Sequence, residues 1–145
     1  MNSTVTHPET DAPQPRHGRP VRRGVAWSYF GFNTLFIFCV ILQVFFVGAG
    51  ILVSGSWMTA HIMLGSNLVF LPIVLLILSF AARLPGALKW LTLLLLVLVV
   101  LQPILIFVPH KIGLPILSAL HPVNALAIFT LPIFVNIRVW RLLHS

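Results

Sequence analysis

Two histidines, His61 and His121, carry most of the chemistry available to this chain. Each lies near the start of a long apolar stretch, where an ionisable side chain is costly enough to suggest a function. A neutral imidazole offers one donor and one acceptor nitrogen and is the commonest nitrogen ligand for metals. Haem iron takes axial ligands from opposite sides of a flat macrocycle, so two imidazoles at one depth would suit it. His61 and His121 are therefore the expected metal ligands of one haem b. Zinc fits less well, because structural sites use four protein ligands and catalytic sites three. The apolar stretches offer two histidines, the distant Cys39 and no acid.

Residues around the histidines extend this reading. Gly65 and Ala125 follow them by four positions, one turn deeper on the same helix face, where a large side chain would meet a porphyrin. Pro122 has no N–H, which frees the carbonyl of Ser118. That carbonyl, or the Ser118 hydroxyl, is expected to take the proton of one His121 nitrogen and leave the other for iron. Gln43, Gln102 and Asn124 are further polar neighbours, and Lys111 is expected to pair with a haem propionate or else to snorkel to an interface. In the competing view the histidines only join helices, with Gln43 and Gln102 as partners. Imidazoles facing one another across a gap large enough for a porphyrin would favour the cofactor, and direct hydrogen bonds from the rings to the glutamines would favour the scaffold.

The elements that position these groups follow from composition. The 145 residues are 59% apolar, with only two acids, Glu9 and Asp11, and a formal charge of +7. The cations sit at the ends of apolar runs and are not interleaved with aromatic side chains, so a nucleic-acid surface is not expected. Residues 1–24, with four prolines and four arginines, read as a disordered basic cytoplasmic tail. Four runs, at about 28–53, 58–82, 88–108 and 116–140, are long enough to cross a hydrocarbon core of roughly 30 Å. In lipid such runs must be helices. Short connections make them an all-α, up-down-up-down four-helix bundle in residues 25–145. Cations cluster on the side of both termini and Lys111 stands alone opposite, so both termini are expected in the cytoplasm of a cell that carries this chain in its inner (plasma) membrane.

A repeat lies within the bundle. Gln43 precedes His61 by eighteen residues and Gln102 precedes His121 by nineteen, and Pro72 and Pro132 each follow by eleven. Two units of two helices share one orientation, which makes this a parallel repeat. His61 and His121 then lie roughly 6 to 9 Å below the outer ends of their helices, in the outer leaflet.

The blocks Leu42-Gln43 with His61-Ile62-Met63-Leu64-Gly65, and Leu101-Gln102 with His121-Pro122-Val123-Asn124-Ala125, resemble a family of small bacterial four-helix membrane proteins known as domain of unknown function 6220. That resemblance implies a fold and no activity. A histidine in helix two and another in helix four is also distantly similar to one four-helix half of the haem A synthases, which implies axial roles for His61 and His121. Those synthases carry an acid shortly before the substrate-side histidine, and residues 54–60 contain none. Haem hydroxylation is therefore not implied, and cytochrome b561-like electron carriers are the nearer comparison, although they usually carry two histidine pairs.

The expected function is that of a haem-binding membrane protein, a b-type electron carrier or haem-handling subunit serving a quinone or an extracytoplasmic redox partner. The alternative is a structural or assembly subunit of a larger membrane complex without a cofactor. Hydrolysis is not expected, because no catalytic triad or carboxylate pair can be assembled beyond the tail.

Overall fold

The computed structural model describes residues 20–145. The expected tail at 1–24 therefore lies, up to residue 19, outside the described residues. Four helical spans follow, formed by α1 (Arg23–Leu52), α2 (Trp57–Leu68) with α3 (Phe70–Ala81), α4 (Gly86–Lys111), and a 3-10 turn (Pro115–Ala119) running into α5 (Leu120–His144). All four are long and apolar enough to cross a membrane. No strand occurs among the described residues. The molecule has a terminal end, where the chain enters α1 and leaves α5, and a far end holding the 53–56 and 112–114 connections.

Two boundaries differ from expectation for tertiary reasons. Helix α1 starts at Arg23, within the stretch expected to be tail. There the Arg22 N–H donates to the Ala82 carbonyl at 3.0 Å, and the Arg23 guanidinium donates to the Leu143 carbonyl. Val21 and Val25 pack on the core beside them. These contacts hold polar residues that local composition would leave frayed. The second span is interrupted at Val69. Pro72 cannot donate to the Leu68 carbonyl, and the next bond, from Ile73 N–H to the Val69 carbonyl, is stretched to 3.5 Å.

Burial displays the repeat directly. On α1 the inward stripe is Tyr29, Asn33, Phe36 and Val40, and on α4 it is Leu88, Thr92, Leu95 and Val99. Every member of the second stripe stands fifty-nine positions after its counterpart. In the other two spans, Leu68, Pro72, Leu75 and Ser79 recur sixty positions later as Ile128, Pro132, Val135 and Val139. The inward faces of the two hairpins are thus the same pattern written twice, and the two units run parallel.

The core fills only half of the bundle's depth. Buried positions end at Val40, Leu68, Val99 and Ile128, and beyond that level Pro109 is the one buried residue among those described. The remaining far part is about 18 Å deep at the rise of an α-helix. Helix α3 packs on both α1 and α4, whereas α2 packs on α1. The hairpins are therefore joined at the terminal end and share no buried layer at the far end.

Candidate functional site, an imidazole pair between the hairpins

His61 lies in the second turn of α2 and His121 is the second residue of α5. Both sit in the far part, one on each hairpin, and both are half-buried. Their ring centres are 6.5 Å apart and the ring planes make an angle of 72°. The tertiary arrangement brings together the two histidines that the sequence singled out.

Their hydrogen bonds repeat as well. His61 Nδ1 donates to the backbone carbonyl of Gln43 at 3.3 Å, and His121 Nδ1 donates to that of Gln102 at 3.2 Å. A carbonyl only accepts, so in both bonds the ring proton resides on Nδ1. Each neutral imidazole is left with an unprotonated Nε2 carrying a lone pair. The bonds join neighbouring helices, as the scaffold view expects, yet they use the backbone of the glutamines and only one nitrogen of each ring.

Ser118 does not play its expected part. The proton of His121 goes to the Gln102 carbonyl, and the Ser118 hydroxyl lies 3.2 Å from His110 Nδ1, which also donates to the Ile106 carbonyl at 2.8 Å. Ser118 lies in the 3-10 turn over Pro115–Ala119, and each of the two groups has found another partner, His110 for the hydroxyl and the Gln102 carbonyl for His121.

Other expected site residues are placed as follows. A Cβ on Gly65 would stand 2.7 Å from Gln43 Nε2, so the room left by this glycine is taken by the Gln43 amide. Ala125 is half-buried one turn beyond His121. Asn124 donates to the Leu98 carbonyl at 2.8 Å and so ties α5 to α4. Lys111 is exposed as the last residue of α4. The amide oxygens of Gln43 and Gln102 are both buried without a donor, which leaves a matched pair of free acceptors beside the ring pair. Among the described residues, no three His, Cys, Asp or Glu side chains gather at one point.

Sequence reasoning missed a polar layer in the terminal part. Asn33 is fully buried and donates to the Pro132 carbonyl at 2.8 Å and to Asn136 Oδ1 at 2.7 Å. Asn136 in turn donates to Thr34 Oγ1 at 3.0 Å, and the Tyr29 and Thr92 hydroxyls lie 2.7 Å apart. The one available signal was an amide in an otherwise apolar run, without the recurrence in the second hairpin that marks Gln43 and Gln102.

Over residues 43–109 the chain matches the model of a family of unknown function (DUF6220). The matched segment contains Gln43, His61, Gly65 and Gln102, and it ends before His121. No curated protein and no solved structure matches the chain. Similarity to haem A synthases or cytochrome b561-like proteins is thus not shown by these comparisons.

Proposed function

We propose that this chain is a membrane haem protein in which His61 and His121 hold the iron of one b-type haem between the far parts of the two hairpins. The ring separation carries the reading. Metal–imidazole bonds of about 2 Å put each ring centre about 3.1 Å from the metal, so ligands on opposite sides have centres about 6.2 Å apart. Two corners of a tetrahedron would bring them to about 5 Å. The ring centres of His61 and His121, 6.5 Å apart, are close to the first of these spacings. Both Nδ1 protons are held by backbone carbonyls, the usual way a ligating histidine is fixed in one tautomer. A flat group between the rings would lie along the boundary of the two hairpins, where the bundle has no buried layer of its own. Such a group supplies one-electron chemistry when bound. The protein's part is to fix two imidazoles and exclude water with the apolar walls of α1, α2, α4 and α5.

Gln43 and Gln102 position the rings through their carbonyls, and their free amide oxygens suit donors at the edge of the site. Lys111, the far-end cation, is assigned to a propionate. With the cation-rich terminal end in the cytoplasm, the site lies in the outer leaflet of the plasma membrane. One haem there serves exchange with a quinol or an extracytoplasmic partner, or delivery of haem itself, and does not span the bilayer. The test is the optical spectrum of protein expressed with haem supplied. A Soret band absent in both His61→Ala and His121→Ala supports the reading, and a colourless wild type that is folded overturns it.

The interhelical His–Gln bonds favour a second reading, a cofactor-free assembly subunit. There, one water donating to both Nε2 atoms would satisfy the pair. Colourless protein that loses stability in either histidine variant would select it.

A further inference from the structure

We propose that the seam between α3 and α4 at the terminal end is a binding site for an anionic phospholipid, its phosphate met by Lys89 and Arg83 and an acyl chain lying against Leu76 and Leu93. A groove of about 240 Å³ runs along this seam, lined by Leu76, Phe80, Gly86, Lys89, Trp90 and Leu93. Its inner end is aliphatic and its mouth is cationic and aromatic, which is the polarity profile of a lipid from tail to headgroup. The Lys89 ammonium stands 4.8 Å from the centre of the Phe80 ring, held at the mouth by a cation–π contact. Arg83 lies in the adjoining connection, between Phe80 and Gly86.

The repeat makes this groove specific to one seam. The equivalent seam, between α1 and α5, has Trp27 at the position of Gly86, Phe30 at that of Lys89 and Trp140 at that of Phe80. There Trp27 packs edge-on against Phe30 and Trp140 with ring centres 5.7 and 5.6 Å apart. One seam is filled by indole rings, and the other is opened by a glycine and given a cation. Charge complementarity selects the occupant. The terminal end carries Arg22, Arg23, Arg83, Lys89, Arg138 and Arg141, and residues 20–145 contain no Asp or Glu. No acidic side chain among the described residues can pair with these cations, and an anionic headgroup supplies the complementary charge.

Native mass spectrometry of the full chain in detergent, titrated with phosphatidylglycerol or phosphatidylcholine, tests the proposal. Phosphatidylglycerol is expected to bind at least fivefold more tightly, and Lys89→Gln to reduce that preference to twofold or less. Leu93→Trp, which fills the groove, should weaken both lipids, while Lys111→Gln and Arg138→Gln leave binding unchanged. Inorganic phosphate should not compete at lipid-equivalent concentration. Equal affinity for the two lipids, an equal loss in Arg138→Gln, or displacement by inorganic phosphate would overturn it.

Discussion

Gln43 serves the site twice, through a backbone carbonyl that receives the His61 proton and an amide that lies against Gly65. Adding a methyl group at Gly65 forces that amide to move, and because it is the far end of a flexible side chain the shift is cheaper than the roughly 1 to 3 kcal/mol of overpacking in a rigid core. Replacing a glycine inside α2 also gains about 1 kcal/mol of helix propensity, so Gly65→Ala should shift the unfolding midpoint in detergent little, and Gly65→Ala with Gln43→Ala should be more stable than the sum of the single changes implies. Additive changes would mean that the contact is of no consequence. Asn33 offers a second check, since its amide bridges α1 and α5 through the Pro132 carbonyl and Asn136. Polar contacts between membrane helices average about 0.6 kcal/mol with a maximum near 1.7, so Asn33→Ala should cost about 1 to 2 kcal/mol and Tyr29→Phe less. Asn33 escaped the sequence reading because its partner Asn136 occupies a different position of the repeat, whereas the two histidines announce each other by position. Ser118 misled because an offset along one chain does not show the tertiary competitors, His110 for its hydroxyl and the Gln102 carbonyl for the His121 proton.

Helix α2 differs from the segment that continues it. Its only buried residue is Leu68, while α3 buries Pro72, Leu75 and Ser79, and the two are separated by the break at Val69. Local opening follows contact with the core. Backbone amides of α2 should therefore exchange with deuterium faster than those of α3 in protein free of haem, and haem should slow α2 selectively. Uniform exchange over 57–81 would contradict this division of the span. Side chains should follow the same boundary: Leu75→Ala, at a fully buried site, should cost about 2 to 5 kcal/mol. Ile62→Ala, at a side chain 60% exposed, should cost well under 1 kcal/mol by unfolding in detergent. Span existence was readable from apolar length alone. The division of the second span was not, because Pro103 and Pro132 also lie within spans, and α4 and α5 continue through them.

For the whole molecule, two parallel hairpins meet in a packed layer at the terminal end and bring one imidazole each to within 6.5 Å, centre to centre, at the far end. The charge asymmetry makes an orientation prediction. With Cys39 replaced, a cysteine at Ser145 should be protected from a membrane-impermeant thiol reagent in intact cells, while one at Ser56 should label. The reverse pattern would put the imidazole pair in the inner leaflet and remove the extracytoplasmic partner from the proposal.

The amino-acid order was enough to establish four apolar spans, their alternating directions and the recurrence of glutamine, histidine and proline, because these depend on length, polarity and spacing along one chain. It could also nominate His61 and His121 as a pair. Only the tertiary structure decided that each ring donates to a backbone carbonyl, that Gln43 fills the space beside Gly65, and that buried packing stops at Val40, Leu68, Val99 and Ile128. The physical reason is that hydropathy is similar along the whole of each span, whereas burial depends on how closely a neighbouring helix approaches. That distance is set by the packing of both hairpins together and is carried by no segment alone.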